Sequence, residues 1–375
     1  MIYLDYSANT PVDARVLEQF CAVERRCIGN ANSHHQAGSA AKAEIDAATI
    51  KIASLLGVQP AEIIYTSGAS EANNFALKGL ARLSRHAGRH IISTPLEHSS
   101  VSGTLTALQE QGYEIDLLDV KQDGTVDLEH LKDLLRPDTI CVAVTLVDSE
   151  LGVVQPVQEI AAILKAYPHC HLHVDATQAV GKIPVSFEGV DTMSLTAHKF
   201  YGLNGIGLLV KRRNLALEPL IHGGESTTIY RSGTPTVALA SSLACALDLA
   251  IIDLPNRVDH VAKLNAELRA ALSTYPLVRI NSPDHAIPHV LNLSVRNVKG
   301  TVFQRELDAK GVCVSVKSAC SSDGLPSRAV FAVSRDRRNA LSSWRISLSH
   351  LTTEEEIKAF LQAFDVCCRE LTALH

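Results

Sequence analysis

The segment His171-Leu172-His173-Val174-Asp175-Ala176-Thr177-Gln178 carries the most informative local pattern of the chain. Its first half is a short run with apolar and β-branched residues, which is typical of a strand, and the run ends in an acid. Ligands of open α/β sheets bind in the crevice outside the carboxyl ends of the strands. We therefore predict a strand over residues 171–175 whose last side chain, Asp175, lies at such an edge.

The sequence on both sides of this segment repeats the pattern. Short apolar runs alternate with stretches of helical periodicity from about residue 50 to about residue 250. The predicted strands are residues 63–66, 90–93, 140–145, 171–175, 192–195 and 207–210. The predicted helices are residues 39–56, which end at Gly57, and residues 70–79, 99–111 and 157–166. Such alternation predicts an α/β fold, with a large domain built on a mainly parallel sheet that helices cover.

Beyond about residue 255 the pattern changes to that of an α+β unit. A helix is predicted over residues 258–273 and strands over residues 290–295 and 312–316. The helical tail should begin at a capping box formed by Thr352 and Glu355. We predict a large domain of residues 15–255 and a smaller carboxy-terminal domain of residues 256–375, which residues 1–14 join.

Composition excludes several classes of protein. Of the 375 residues, 46% are hydrophobic and 20% are charged, so the chain can bury a core and is not disordered. No apolar run is long enough for a membrane span, and the first residues lack the pattern of a secretory signal, so we expect a cytoplasmic protein. The net charge of −5 and the lack of a long basic block argue against direct nucleic-acid binding.

The nine cysteines show no CxxC spacing and are expected to be reduced thiols. Metal binding is an alternative where His169, Cys170, His171 and His173 crowd together. Alternate residues of a strand point to opposite faces, so Cys170 would diverge from His171 and His173 and could not complete a tetrahedral site. We therefore expect no metal site.

Two basic side chains follow predicted strands. Lys199 comes just after the strand at residues 192–195, where its amine could form a Schiff base with a carbonyl cofactor, although a solvated surface lysine is the common alternative. His98 follows the strand at residues 90–93, where an imidazole could stack on a flat ring and exchange protons. Asp175 would suit pyridoxal phosphate, whose ring nitrogen needs a carboxylate partner.

Two glycine-containing turns have features of phosphate-binding loops. Ser67-Gly68-Ala69-Ser70-Glu71 lies between a strand and a helix, where free N–H groups could hold a phosphate or simply form a tight turn. The spacing Gly202-x-x-Gly205-x-Gly207 has the wrong order for a dinucleotide loop and precedes a strand, so we reject that interpretation.

Together these residues fall in the order of a known family. The motifs are Thr66-Ser67-Gly68-Ala69-Ser70-Glu71, His173-Val174-Asp175-Ala176-Thr177-Gln178, His198-Lys199-Phe200-Tyr201-Gly202, Arg231-Ser232-Gly233-Thr234 and Ser318-Ala319-Cys320. With these motifs the chain resembles the NifS/IscS-type cysteine desulfurases of the class V aminotransferase superfamily. The resemblance implies the fold type I of pyridoxal-phosphate-dependent transferases and covers practically the whole chain.

The resemblance also implies the site residues. Lys199 should hold pyridoxal 5'-phosphate and move the substrate's Cα proton, and Cys320 should take the sulfur of L-cysteine as a persulfide and release alanine. The remaining implied contacts are His98 stacked on the ring, Asp175 at its nitrogen, Gln178 and Ser149 at its phenolic oxygen, Ala69, Ser70, Thr196 and His198 around the phosphate, Thr234 from a neighbouring subunit, and Arg345 and Asn32 at the substrate. A homodimer follows from Thr234, and a sulfur-acceptor protein follows from the persulfide: an iron–sulfur scaffold, a tRNA-thiolating enzyme or a sulfur carrier.

Departures from the family pattern leave alternatives open. Asp148-Ser149-Glu150 stands where the family has Asn-Asn-Glu, and Lys317 replaces a glycine three residues before Cys320. Asp148 is expected to add negative charge near the cofactor, while Lys317 could lower the pKa of the Cys320 thiol. The alternatives are a selenocysteine lyase, a cysteine lyase that releases free sulfide, and a binding module that has lost turnover.

Overall fold

The computed structural model describes residues 1–317 and 325–373. Its strands are β1 (Ile2–Tyr3), β2 (Ile63–Thr66), β3 (His90–Ser93), β4 (Glu114–Leu117), β5 (Thr139–Thr145), β6 (His171–Asp175), β7 (Thr192–Thr196), β8 (Gly207–Lys211), β9 (Val278–Ile280), β10 (Val290–Val295), β11 (Val312–Cys313) and β12 (Ser343–Ser347). Its α-helices are α1 (Ala14–Arg26), α2 (Gln36–Leu56), α3 (Ala69–Leu83), α4 (Ser99–Gln109), α5 (Leu128–Leu134), α6 (Val157–Leu164), α7 (Val237–Ile252), α8 (Leu254–Leu272), α9 (Gly300–Ala309), α10 (Arg328–Ser334), α11 (Arg337–Ser342) and α12 (Glu354–Thr372).

A seven-stranded sheet in the order β2-β8-β7-β6-β5-β3-β4 forms the centre of the molecule. Only β8 runs against its neighbours, pairing antiparallel with β2 and β7, so β2, β3, β5, β6 and β7 all end at the same edge. The predicted mainly parallel sheet of an α/β protein is thereby confirmed.

Both faces of this sheet are buried, as a parallel sheet covered by helices requires. Leu208 and Val210 of β8 belong to a core cluster shared with α6 and α7, whereas Leu209 of the same strand packs with α3 and α4 on the other face. The alternation places one layer of helices on each side of the sheet.

A second group of elements has its own apolar cluster. The antiparallel sheet β12-β10-β9 packs with α8, α9 and α12, and Trp344 stacks on Phe303 with ring centroids 5.1 Å apart. Leu4 belongs to this cluster because β1 pairs in parallel with β11. The division into residues 15–255 and 1–14 with 256–375 stays a prediction.

Several predicted elements agree with the structure, and others differ in detail: the helix predicted over residues 258–273 begins at Leu254, and the helix predicted over residues 70–79 continues to Leu83. Helix α2 ends at Gly57, which adopts a left-handed conformation with φ of 67°, as the sequence indicated. The predicted capping box at Thr352 and Glu355 is wrong by one residue, because Thr353 and Glu356 form it. Thr352 is buried instead, and its hydroxyl accepts a hydrogen bond from the Ser349 N–H. The strand predicted over residues 312–316 is confined to β11.

Within the described ranges, no single helix combines the length and apolar character needed to cross a membrane. The bent pair Val237–Ile252 and Leu254–Leu272 meets those criteria only when its members are taken together, and ten residues of α7 are buried in the molecule.

Candidate active site

A cavity of about 320 Å³ lies at the edge where β2, β3, β5, β6 and β7 end. It is lined by Ser7, Ala8, Ser67, Gly68, Ala69, Ser70, Glu71, Leu96, His98, Thr145, Ser149, Asp175, Thr177, Gln178, Thr196, His198, Lys199 and Arg345. The strand ends therefore bring together side chains that are far apart in the sequence, and Arg345 joins them from β12.

Ten of the predicted site residues line this cavity: Ala69, Ser70, His98, Ser149, Asp175, Gln178, Thr196, His198, Lys199 and Arg345. Asn32 lines a second cavity, of about 420 Å³, and Thr234 lines a third of about 30 Å³. Within one chain, the structure thus does not bring these two residues to the others. Cys320 lies outside the described residues.

Lys199 ends the short 3₁₀ turn that follows β7. Its amine donates hydrogen bonds to the backbone carbonyls of Ser7, at 2.7 Å, and Ala8, at 2.6 Å. Thr10 in turn bonds the backbone of His198, and Tyr201 adopts a positive φ of 68°, which is uncommon for a residue with a side chain. The amino-terminal segment thus fixes the lysine amine at the cavity wall.

Asp175 is the buried carboxylate at the end of β6, with only 3% of its surface exposed. One carboxylate oxygen accepts a hydrogen bond from the Thr177 N–H and the other accepts one from the Asn73 side chain, both at 2.9 Å. A negative charge held by donors on both oxygens is suited to a cationic partner in the cavity.

His98 caps helix α4, since its Nδ1 accepts a hydrogen bond from the Ser100 N–H at 3.1 Å. Burial is the main reason why the pKa of His98 lies below its ordinary value, although Asp175 opposes this shift. The imidazole is therefore neutral at pH 7, which favours a ring that stacks on an apolar or aromatic surface.

The turn between β2 and α3 forms one end of the cavity and lies next to β8, the strand that runs antiparallel to its neighbours. Helix α3 begins at Ala69 without a side-chain cap among the described residues, and its first residues, Ala69 and Ser70, line the cavity. Its free N–H groups and the positive end of its dipole therefore lie at the cavity wall. Gly68 has φ of 151°, and a Cβ on Gly207 would lie 2.7 Å from the Gly68 backbone. These glycines therefore allow close contact between the two backbone segments.

Arg345 is fully buried, and two of its nitrogens have partners. Nη1 donates to the backbone carbonyl of Ser149 at 2.7 Å, and Nη2 donates to the Asp5 carboxylate at 3.0 Å. Among the described residues, its Nε has no hydrogen-bond partner. Asp5 was not predicted as a site residue, since nothing in the sequence links it to a position 340 residues away.

Lys182 is a buried lysine behind the cavity. Its amine donates to the Gln178 Oε1 at 2.5 Å, while the Gln178 Nε2 donates to the Ser7 carbonyl at 2.9 Å. Burial and the nearby cations Lys199 and Arg345 lower the pKa of Lys182 well below its ordinary value. The lysine fixes the Gln178 amide with its oxygen turned towards Lys182.

Buried acids occupy the position of the family's Asn-Asn-Glu motif. Burial, with Glu150 adding to it, raises the pKa of Asp148 from 3.8 to about 7. Burial also raises the pKa of Glu97, a neighbouring acid from another part of the chain, to about 8. Ser149 lines the cavity, while Asp148 is 1% exposed and accepts a hydrogen bond from the Leu151 N–H. Near neutral pH a large fraction of Asp148 is uncharged, so it adds less negative charge than the sequence suggested.

We expect Asp148→Asn to raise the thermal stability of the protein at pH 8. The pKa of Asp148 is higher in the folded protein than in the unfolded chain. The free energy of unfolding is therefore highest below the unfolded pKa of 3.8 and falls as the pH rises to the folded pKa of about 7. Asparagine keeps an acceptor for Leu151 and has no proton to lose. The advantage should reach on the order of 2–4 kcal/mol above pH 7.

Scanning calorimetry of the wild type and Asp148→Asn at pH 5 and pH 8 measures this difference. Asp133→Asn, at an exposed position of helix α5, is the control and should shift the Tm equally little at both pH values. An Asp148→Asn advantage that is no larger at pH 8 than at pH 5 would contradict the assignment of a raised pKa.

In the histidine-rich stretch near β6, both ring nitrogens of His173 have protein partners. His173 is fully buried, its Nδ1 lies 2.9 Å from the Thr192 hydroxyl, and its Nε2 lies 3.0 Å from the Asn73 side-chain oxygen. In residues 1–317 and 325–373, no three His, Cys, Asp or Glu side chains are grouped in a way that could hold a metal ion.

The cavity has the chemical features that pyridoxal phosphate requires. Its walls offer an amine, a buried carboxylate, a neutral imidazole and a helix amino terminus, which suit respectively an aldehyde, a protonated ring nitrogen, a ring face and a phosphate. Ser7 Oγ and Thr177 Oγ1, like Arg345 Nε, are buried polar atoms without a partner among the described residues. Such atoms are costly unless a polar ligand bonds them.

The Aminotransferase class-V family model matches residues 2–360. The chain belongs to this family. The resemblance predicted from the motifs is thereby confirmed, and class-V membership implies dependence on pyridoxal phosphate.

Individual class-V relatives agree with this membership over nearly their full length. "Cysteine desulfurase IscS" of Proteus mirabilis is 40% identical over 365 residues, which is 95% of this chain and 90% of the relative. A solved structure named NIFS-like protein has a TM-score of 0.91 at 36% identity and covers 97% of this chain and 98% of its own. A second, described as SspA in complex with cysteine, has a TM-score of 0.83 at 30% identity and covers 94% and 100%. These structures confirm the predicted fold class.

Proposed function

We propose that this chain is a pyridoxal-phosphate-dependent cysteine desulfurase that converts L-cysteine to L-alanine and carries the sulfur on Cys320. The observation that carries the proposal is the single cavity in which Lys199, Asp175 and Arg345 meet. The relative named cysteine desulfurase and the similar structure described with bound cysteine support the choice of reaction and of substrate.

The cavity residues divide between the cofactor and the substrate. Lys199 would hold the cofactor aldehyde, Asp175 its ring nitrogen, and His98 its ring face. Gln178 and Ser149 would contact its phenolic oxygen, while Ala69, Ser70, Thr196 and His198 would surround its phosphate. Pyridoxal phosphate, when bound, supplies an electron sink for the charge that develops at the substrate's Cα.

Lys199 is the proton carrier in this proposal. Its amine is positioned by the Ser7 and Ala8 carbonyls, which accept its hydrogens, and it removes the Cα proton of the bound amino acid once it no longer holds the cofactor. The neutral His98 beside it adds no positive charge to the site.

Arg345 binds the substrate carboxylate. A guanidinium suits the planar carboxylate, and Asp5 and the Ser149 carbonyl hold this one in place through two of its nitrogens. Its buried Nε is a donor that a carboxylate could use. A carboxylate bound by Arg345 in the cavity that also contains the Lys199 amine fits an α-amino acid as the substrate.

The sulfur step belongs to Cys320, which lies outside the described residues. Its thiolate attacks the substrate sulfur, forming an S–S bond as the substrate's Cβ–S bond breaks. The electron pair of that bond stays with the carbon fragment, which takes up protons and leaves as alanine. The products are one alanine and one persulfide, so no external oxidant is consumed.

Product analysis tests the reaction. Without a reductant we expect one alanine per active site and little free sulfide, because the persulfide remains on the protein. With a thiol reductant, alanine and sulfide should form continuously in equal amounts. Continuous sulfide release without reductant would indicate a sulfide-releasing lyase, and turnover of selenocysteine alone would indicate a selenocysteine lyase. Absence of both products would indicate a binding module.

The partners form the finer part of the proposal. Thr234 and Asn32 line cavities apart from the site in one chain, so we propose that a homodimer supplies Thr234 to the neighbouring site. The persulfide requires a sulfur-acceptor protein, for which an iron–sulfur scaffold, a tRNA-thiolating enzyme and a sulfur carrier are the candidates. Persulfide transfer from labelled cysteine to each candidate distinguishes them. We place the reaction in the cytoplasm.

A further inference from the structure

Asn73 is a buried polar residue that the proposed mechanism does not use. It lies on helix α3, one turn after the helix begins, and has no exposed surface. A buried side-chain amide is stable only when its donors and acceptor have partners, so its contacts show what it organises.

The Asn73 amide connects the surroundings of two cavity residues. Its Nδ2 donates to the Asp175 Oδ2 and to the Ser100 hydroxyl, each at 2.9 Å. Its Oδ1 accepts from the His173 Nε2, at 3.0 Å, and from the Ser194 hydroxyl. All the hydrogen-bonding positions of the amide are therefore in use.

The Asp175 carboxylate fixes the direction of these bonds. An ionised carboxylate only accepts, so the amide nitrogen must face Asp175 and the amide oxygen must face His173. His173 then carries its hydrogen on Nε2, and its Nδ1 accepts from the Thr192 hydroxyl. Burial lowers the pKa of His173 to about 4, in agreement with a neutral ring.

The second branch reaches His98 through Ser100. Since the Ser100 hydroxyl accepts from Asn73, its own hydrogen can be donated to the His98 Nδ1, which lies 2.9 Å away. The same Nδ1 also accepts from the Ser100 N–H. With Nδ1 accepting, the hydrogen of the neutral His98 is on Nε2.

We propose that Asn73 is a positioning residue that couples the carboxylate of Asp175 to the tautomer of His98. One amide holds Asp175 as an acceptor and, through the Ser100 hydroxyl, adds a second donor to the Ser100 N–H that favours the Nε2–H form of His98. This inference rests on the proposed function for the cofactor that would contact both side chains. The hydrogen-bond network itself is a property of the protein chain.

Asn73→Leu tests the coupling, because leucine has a similar volume and cannot hydrogen-bond. Pyridoxal phosphate is titrated into the apoprotein to obtain its Kd, and the visible absorbance of the loaded protein is followed against pH. We expect the Kd of pyridoxal phosphate to rise about 10- to 100-fold, because a buried carboxylate loses one hydrogen-bond donor. The pH midpoint of the absorbance titration should also move. Asn339→Leu, at a buried amide that bonds Asn281, is the matched control and should change neither.

Ser100→Ala separates the two branches, and it serves also where Asn73→Leu does not fold. It removes the hydroxyl, and with it the bonds to His98 and from Asn73, but leaves the Asn73 bond to Asp175. It should therefore shift the absorbance titration with a smaller effect on the Kd. In the double variant the effects should be non-additive, since both act through one chain of bonds. Unchanged Kd and titration in either folded single variant, or strict additivity, would overturn the proposal. If the wild type binds the cofactor but yields no alanine from cysteine, the proposed function fails while the Asn73 effects remain.

Discussion

Lys199→Ala is expected to lower alanine formation from cysteine by about 10²- to 10⁴-fold or more, the range that a positioned proton-transfer group contributes. The variant loses both the amine that would hold the cofactor and the base at the Cα proton. The surrounding residues should keep their positions in this variant. In the wild type the lysine amine donates to the Ser7 and Ala8 carbonyls, and in the enlarged cavity of the variant water can take its place. Pyridoxal phosphate should still bind through Asp175 and the start of helix α3, but without a covalent bond.

Borohydride reduction followed by mass spectrometry measures this difference. The wild type should gain the mass of the reduced cofactor at Lys199, and Lys199→Ala should not. Lys199→Arg, which keeps the charge but is not a comparable nucleophile, should be as inactive as Lys199→Ala. Lys263→Ala, at an exposed position of helix α8, is the control and should retain wild-type activity. Turnover of Lys199→Ala within tenfold of the wild type would exclude Lys199 as the proton carrier.

The sheet and the position of the site could be predicted from the sequence because both depend on local patterns. Strands β3, β6 and β10 have the predicted bounds, since short apolar runs between turn residues specify them. The polar residues after β2, β3, β5, β6 and β7 meet because these strands end at one edge. Knowing that a strand ends in Asp175 is therefore enough to place it near Lys199.

Residues that support the site from a distance could not be predicted in this way. Asp5, Asn73 and Lys182 contact Arg345, Asp175 and Gln178, respectively. Their sequence gives no periodic or spacing signal, because these contacts depend on tertiary packing. The only sequence signal for Lys182 is its position a few residues after β6, which is weak evidence for a role at the site.

The start of helix α12 shows how a local rule can point to a neighbouring residue. The spacing from Thr352 to Glu355 fits a capping box, and so does the spacing from Thr353 to Glu356. The structure uses the second pair, since burial of Thr352 directs its hydroxyl to Ser349. The sequence pattern fits both capping positions equally well, and the burial of Thr352 in the folded protein decides between them.

Cys320→Ser is expected to abolish sulfur transfer while cysteine still binds. A serine hydroxyl is not ionised near neutral pH and oxygen cannot carry a persulfide, so the attack on the substrate sulfur is lost. The loss should be on the order of 10⁴-fold or more, as for removal of other covalent nucleophiles. The cavity residues Lys199, Asp175 and Arg345 are unchanged, so the visible absorbance of the loaded protein should still respond to added cysteine.

Three measurements on one preparation separate binding from transfer in Cys320→Ser: the absorbance response to cysteine, sulfide release with a thiol reductant, and the mass of one extra sulfur on the peptide that contains residue 320. Cys21→Ser, on helix α1, is the control and should behave as the wild type in all three, because its thiol has no role in the proposed reaction. A Cys320→Ser variant that releases sulfide at the wild-type rate would mean that sulfide leaves the substrate directly. The protein would then be a sulfide-releasing lyase on the same scaffold, with Lys199 still its proton carrier, because loss of the Cα proton precedes departure of sulfur in either reaction.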